Sequence, residues 1–295
     1  MIRGKTDKIF EGFCIFFSVL LALLCLYPLL YTLGVSLTSE TEWMDKNGLL
    51  VLFPTKPTFV AYRKIFGVGS YVLKALGVSL LRTVVGTVTS VAINALVGYV
   101  LSRDKFPGKQ AYIYLLLFTI FFSGGLIPNY LVIKELHLLN SFWSMILPNI
   151  VSAWNILIFK QFFSGLPKEI EEAAIIDGIG EMGLFARIIL PLSKPVVASI
   201  GLFTMVTHWN NWFDVMIYID QAHSELWTLQ YYIMINFNNL SQIDSSNIDI
   251  GAGGGVTQLT QRMALTIVGF VPILCIYPFF QKFFKDGVYL GAVKG

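Results

Sequence analysis

Charge is what this sequence has least of. Aspartate, glutamate, lysine and arginine supply 13% of its 295 residues, about half the share of a soluble globular domain. Set beside a mean hydropathy of +0.68, the shortage excludes an ordinary soluble fold. A net charge of +3 is too small to mark a nucleic-acid binder. Cysteine is scarce too. Cys14, Cys25 and Cys275 all lie inside apolar runs, and an odd number placed there argues against a disulfide framework. His137, His208 and His223 are scattered, with no metal-ligand spacing. The phosphate loop G-x-x-x-x-G-K-[ST] is missing, as are H-E-x-x-H, G-x-S-x-G and paired intramembrane aspartates. These absences remove the usual signatures of a nucleotide-binding domain and of an intramembrane enzyme. The glycine run Gly251–Gly255 has no following helix start with a lysine and reads as a flexible loop.

What the sequence has in quantity is long apolar runs. Six emerge, at about 13–37, 72–101, 111–133, 142–163, 192–219 and 263–284. Each is near the roughly 20 residues that cross hydrocarbon. Lipid offers no partner for backbone N–H and C=O groups, so each run predicts a helix. The expected fold is an all-α integral membrane protein with six transmembrane helices in one domain, 1–295. Pro28, Pro128, Pro148 and Pro272 fall within or near span ends and predict kinks. Arg3, Lys5 and Lys8 precede the first run, which is too long for a signal peptide's apolar core and reads as a retained span.

The loops carry an asymmetry. With the N-terminus in the cytoplasm, most of the Lys and Arg lie inside, among them Arg103, Lys105, Lys109, Lys168, Arg187, Lys282 and Lys285. Segment 220–261 contains no Lys or Arg but holds Asp220, Glu225, Asp244 and Asp249. The positive-inside rule then places both termini in the cytoplasm, with 38–71 and 220–262 extracellular and 164–191 cytoplasmic.

That cytoplasmic segment is half-polar and punctuated by glycine. Pro167 suits a first helical turn, and Glu169, Glu171 and Glu172 complement the positive end of a helix dipole. Ile170, Ala173, Ala174 and Asp177 share one helical face, and Gly178 fits a helix stop. Glu181 to Leu190 forms a second helical stretch with Leu184, Phe185, Ile188 and Ile189 on one side, closed by Pro191. Two short helices joined by a glycine turn fit either an amphipathic element on the membrane surface or a docking element for a cytoplasmic partner.

The spacing Glu172-Ala173-Ala174, three residues, Gly178, nine residues, Ile188, one residue, Leu190-Pro191 resembles the EAA loop of ATP-binding-cassette (ABC) importer permeases. Its place before the last two spans agrees. Asp177 beside Gly178, "FSGGLIPNYLVIKELHLLNSFWSMILP", "HWNNWFD" and the tail "GVYLGAVKG" resemble the carbohydrate-uptake, maltose-type branch. Within it they are most similar to the group that handles complex oligosaccharides, often uronic-acid or plant cell-wall sugars. The resemblance implies the type I importer fold. It also implies a coupling helix seated on a separate ATPase, with Glu172, Ala173, Ala174, Asp177, Gly178, Ile188 and Pro191 as the coupling residues. ATP and Mg would be bound by that ATPase, leaving no cofactor in this chain. The implied partners are two ATPase subunits, a second homologous permease subunit forming a heterodimer, an extracellular solute-binding protein and the bilayer of a bacterial cytoplasmic membrane. Gly291, Ala292 and Lys294 are either a tail reaching toward the ATPase pair or a frayed end.

Sugars are held by aromatic faces and by amide or carboxylate hydrogen bonds. The fifth run ends in "HWNNWFDVMIY", bringing Trp209, Asn210, Asn211, Trp212 and Asp214 into a span. Asn94, Asn149 and Asn155 complete a candidate path, since polar groups at membrane depth face a cavity or a helix partner. Helix–helix glue and an outer aromatic belt containing Trp212 and Tyr218 are the competing accounts. In the outer segments, "LWTLQYYIMINFNNL" predicts a short packed helix, and Trp43 and Phe53 are possible anchors for a binding protein. The alternatives in function are a permease for peptide or amino acid, an intramembrane enzyme, and a channel or signalling protein.

Overall fold

The computed structural model describes residues 5–46, 52–67, 69–238 and 258–292, with backbone alone at 5–7 and 281–292. Among the described residues it contains helices and no strand. The helices are α1 Lys5–Ser36, α2 Glu40–Asp45, α3 Val60–Ile65, α4 Tyr71–Ser102, α5 Lys109–Phe121, α6 Leu126–Glu135 and α7 Ala153–Ser164. They continue with α8 Lys168–Ile176, α9 Glu181–Leu184, α10 Leu190–Leu192, α11 Lys194–Asn210, α12 Phe213–Tyr218, α13 Leu229–Asn238 and α14 Gln258–Ala292. Segment 251–255 and Lys294 lie outside the described residues, as do the side chains of Gly291 and Ala292.

Three helices are by themselves long and apolar enough to cross a membrane: Lys8–Ser36 of α1, α4, and Gln258–Phe280 of α14. Three more candidates are bent pairs. α5 and α6 meet at 115°, the short 3-10 helices over 142–149 meet α7 at 51°, and Glu181–Leu192 meets α11 at 82°. The bends have local causes. Gly125, at φ +85, turns the chain between α5 and α6 in a conformation an L-residue disfavours. Pro148 opens the short helix before α7. Ser193 breaks the ladder before α11, with its amide shared between the Ile189 and Leu190 carbonyls at 3.0 and 3.1 Å.

The chain divides into two compact units. In the first, Met1–Val72 with Ile235–Val271, the Ser36 and Tyr62 hydroxyls join at 2.8 Å. The amide of Thr58 donates to the Leu37 carbonyl at 2.8 Å. Glu42 ties segment 52–58 back to α2: its carboxylate accepts from the Thr55 amide at 2.6 Å, the Lys56 amide at 3.3 Å and Lys46 Nζ at 2.8 Å.

In the second unit, Leu73–Met234 with Pro272–Gly295, one core cluster gathers Ala95 and Tyr99 of α4, Phe159 and Phe163 of α7, and Ala174 of α8. Leu184, Phe185, Ile189, Val196 and Ile200 complete it. α4 approaches α7 closely at Gly98, where a Cβ would lie 2.6 Å from Phe159 Cβ and 3.0 Å from the Ile156 carbonyl. A larger residue would hold the helices apart.

Candidate functional site

The segment 164–191 folds as a helix, a glycine turn and a second helix. α8 ends in a Schellman motif. The Ile179 amide donates to the Ala174 carbonyl at 3.0 Å and the Gly178 amide to Ile175 at 3.0 Å. Gly178 stands at φ +74, the left-handed position this motif requires. Ile179 packs back on the cluster that holds Ala174, which completes the stop.

The face expected from Ile170, Ala173, Ala174 and Asp177 is divided in the structure. Ala174 is buried, Ile170 half-buried, and Ala173 and Asp177 are exposed. Ala174 and, in part, Ile170 face the rest of the unit, while Ala173 and Asp177 are turned outward. The outward surface carries Glu172 and Ala173, with Ile175 at 55% and Ile176 at 85% exposure. Two isoleucines facing solvent beside a carboxylate make an apolar, acid-edged patch of the kind that another protein covers.

The second helix departs from the sequence expectation. Pro191 does not close it, because α9 runs through a π-helical stretch, Phe185–Ile189, into α10 and ends at Leu192. The wider π turn re-phases the ladder just before the residue that has no N–H to donate. Ile188 lies half-buried against the core, and Pro191 is exposed.

Arg103 stands beneath this turn, one residue beyond α4. Its guanidinium donates to Glu171 and, at 3.2 Å, to Glu181. The Tyr99 hydroxyl donates to the other Glu181 oxygen at 2.7 Å. That hydroxyl and, less strongly, Arg103 hold the Glu181 carboxyl below its ordinary value. Lys168 reaches Asp104 at 2.7 Å.

A second polar assembly joins α4 to the break between α11 and α12. Arg82, with no exposed side-chain surface, donates to Asp214 Oδ2 at 2.5 Å, the Met145 carbonyl at 3.1 Å and the Asn211 carbonyl at 2.7 Å. Asp214 Oδ2 also accepts from Asn149 Nδ2 at 3.1 Å and Asn211 Nδ2 at 2.8 Å. The Asp214 amide donates to Asn211 Oδ1 at 3.1 Å. The Asn211 carbonyl belongs to the C-terminal end of α11, where a cation meets the negative pole of the dipole.

No family model matches the chain. It is 37% identical over 98% of its length to a polygalacturonan/rhamnogalacturonan transport system permease protein, YtcP, of Bacillus subtilis, covering 99% of that protein. It is also 36% identical to Protein LplC of the same organism, over all of this chain and 98% of that protein.

The chain belongs to the permeases of carbohydrate ABC transport systems.

A further relative is an arabinooligosaccharides transport system permease protein, AraQ, of Halalkalibacterium halodurans, 30% identical over the full length of both. The fold agrees with a chain of a bacterial ABC transporter involved in the import of the acidic polysaccharide alginate. The TM-score is 0.84 at 24% identity, covering 96% of this permease and 99% of that chain. The permease is thus an integral membrane transport subunit and not an enzyme.

The remaining candidate residues fall apart into separate surroundings. Asn94 is fully buried. Its amide donates to the Ile150 carbonyl at 3.1 Å and its oxygen accepts from the Ser152 amide at 2.9 Å, closing the break before α7. Asn155 reaches Thr204 Oγ1 at 3.4 Å. Trp209 is buried, whereas Asn210 is exposed on α11. Trp212 is partly exposed and meets Phe213 edge-on at 5.8 Å. Arg82 was not among the residues singled out from sequence. An arginine inside an apolar run was the available signal, since such a charge demands an internal partner.

Proposed function

We propose that this permease passes an acidic, plant cell-wall-derived oligosaccharide into the cytoplasm, driven by a separate ATPase that seats on segment 164–191. The observation that carries the ATPase contact is the exposed face of α8: Glu172 and Ala173 beside Ile175 and Ile176, on a chain without a phosphate loop. Glu172 is placed to make charge-assisted hydrogen bonds to a basic group, and Ala173 admits close approach. Gly178 sets the turn with Asp177 beside it, Ile188 packs on the core, and Pro191 stands exposed at the far end of the second helix. The identity with YtcP supports the substrate class.

The assembly is a heterodimer with a second homologous permease, two ATPase subunits that bind ATP and Mg, and an extracellular binding protein, in a bacterial cytoplasmic membrane. A solved alginate ABC transporter was crystallised in complex with an alginate pentasaccharide-bound periplasmic protein, which supports delivery of this kind. Six spans with both termini inside put α8 on the cytoplasmic face. Asn210 and Trp212 are the exposed polar and aromatic groups nearest the α11–α12 break and are assigned to the path, with Asn149, Asn155, Trp209, Asn211 and Asp214 around them.

The test is uptake by proteoliposomes containing the full assembly, offered oligogalacturonides, neutral arabino-oligosaccharides and a peptide. ATP-dependent uptake of the acidic sugars is expected, and it is expected to be lost in Glu172→Lys. Uptake of the peptide alone would sink the substrate class.

A further inference from the structure

We propose that Arg103 is a positioning residue for transport: it ties α8 to α4, so that a displacement of α8 is carried along α4 to the Arg82–Asp214 assembly. The proposal rests on the reading of 164–191 as the ATPase contact.

The attachment of α8 to the rest of its unit is narrow. Among its residues only Ala174 is buried, and a single methyl provides little lateral grip. The second helix of the turn is held differently, with Leu184, Phe185 and Ile189 in the core cluster. What links α8 to α4 with direction is charge. Arg103 holds Glu171 of α8 with one guanidinium nitrogen and Glu181, on the far side of Gly178, with the other. The same guanidinium lies 5.4 Å from the centre of the Tyr99 ring, and Tyr99 is itself in the core. Lys168 adds a second link, to Asp104. Charge-assisted bonds from a planar fork fix orientation as well as distance.

The two carboxylates divide the work of the helix. Glu171 is turned inward to Arg103, while its neighbour Glu172 is turned outward. One faces the permease, and the other is left for the ATPase. Above Arg103, α4 runs unbroken from Ser102 to Tyr71 and carries Arg82 along its length. At 1.5 Å per residue, Arg103 and Arg82 are about 30 Å apart on a single rod. A helix of that kind moves as a unit, so a pull at Arg103 is felt where Arg82 holds the Asn211 and Met145 carbonyls.

The test uses the complete transporter in proteoliposomes and reads three quantities: ATPase co-purification, ATP hydrolysed, and solute taken up per ATP. Arg103→Ala is expected to keep the ATPase bound but to lower uptake per ATP about tenfold, a typical size for coupling between sites. The exchange Arg103→Glu with Glu171→Arg is expected to restore part of the ratio, because the tie to α8 is re-formed with its charges reversed while Glu181 is left facing a second carboxylate. Arg103→Lys, which cannot hold both carboxylates in one fork, is expected to fall between. Glu172→Lys is expected to lose the ATPase itself.

Wild-type uptake per ATP in Arg103→Ala would overturn the role of Arg103, as would failure of the exchange to improve on either single variant. Loss of ATPase from Arg103→Ala to the same degree as from Glu172→Lys would also overturn it, showing that Arg103 only folds the loop. Retention of the ATPase by Glu172→Lys would instead overturn the docking reading of α8, and this proposal with it.

Discussion

Arg82 and Asp214 stand 132 residues apart in the chain and 2.5 Å apart in the fold. The pair is a buried, charged tie between α4 and the break at Asn211. Separately, each charge would be costly at such depth. Together they are supported by two carbonyls and two asparagine amides, which share the charge that water would otherwise solvate.

Removal of one partner is therefore expected to do more harm than removal of both. Asp214→Ala leaves a buried guanidinium and should destabilise the permease by about 3–5 kcal/mol. The double variant Arg82→Met with Asp214→Leu should cost much less, since apolar replacement of a buried pair is often close to neutral. Thermal unfolding of the purified assembly in detergent distinguishes the two. A double variant as unstable as the single would show that the network has a value beyond charge compensation.

Two glycines of the second unit should respond in opposite ways to alanine. Gly98 has no room, because a Cβ would sit 2.6 Å from Phe159 Cβ and 3.1 Å from the Lys160 amide nitrogen. Forcing α4 from α7 there is expected to cost about 1–3 kcal/mol. Gly201 is buried in α11 with nothing within 4 Å of the added atom. Gly201→Ala should stabilise by about 0.4–1 kcal/mol through the unfolded chain. Equal midpoints for the two variants would refute the packing argument.

Much of this fold was legible because lipid restricts the choices. Apolar runs of about 20 residues that cross lipid must be helices, and α1, α4 and α14 follow directly. The glycine stop at Gly178 was legible for a comparable reason: few residues adopt its backbone angle. Bends were harder. In the run 111–133 Pro128 announced a kink but not a 115° turn placed at Gly125, because Gly124 and Gly125 are tolerated in straight membrane helices as well. The passage of the second helix through Pro191 was hidden by the usual rule that proline ends a helix, which the π turn circumvents. The candidate path was partly obscured by amides that serve the backbone. Asn94 is spent on the break before α7, a use that composition cannot separate from a sugar contact. Arg82 shows the opposite case, a charge visible in the sequence whose partner only the fold supplies.

A pH response is expected where Asn140, Asp220 and His223 meet. The His223 ring lies 2.7 Å from Asp220 Oδ1, and the His223 amide donates to the same oxygen at 3.1 Å. Asn140 and Asp220 exchange hydrogen bonds at 2.8 Å in both directions. The Asp220 hydrogen bond, and then the charges of Asp220 and Glu225, raise the His223 value above 6.5. The His223 bond likewise lowers Asp220 below 3.8. For histidine, the raised folded value means the contribution is full below about 6.5 and is lost as pH rises through it. For the aspartate it is full above 3.8 and lost as pH falls through its lowered value. Protection of the His223 amide from hydrogen exchange, corrected for intrinsic rate, should therefore be greatest at mildly acidic pH and decline toward pH 9. His223→Ala should flatten the profile, and high salt should weaken it because both side chains are accessible. A profile unchanged by His223→Ala would exclude the pair as its source.

Glu42 gives the last prediction, in the first unit. Its carboxyl is held at about 2, first by Lys46 and then by the Thr55 amide. The folded value is depressed from 4.5, so its contribution is present above 4.5 and is lost only as pH falls through about 2. Across the working range of a transporter the clasp on segment 52–58 is insensitive to pH but sensitive to charge. Glu42→Gln keeps the shape, removes the attraction to Lys46 and presents an amide donor where two backbone donors converge. The Thr55 and Lys56 amides should then exchange faster at neutral pH. Phe53, 79% exposed on the same segment, would lose its fixed position. If this surface receives the binding protein, half-maximal uptake should require more of that protein in Glu42→Gln, with Phe53→Ala showing the same shift while leaving the amides protected. Faster exchange without any shift in uptake would separate the clasp from delivery and leave it a purely structural device.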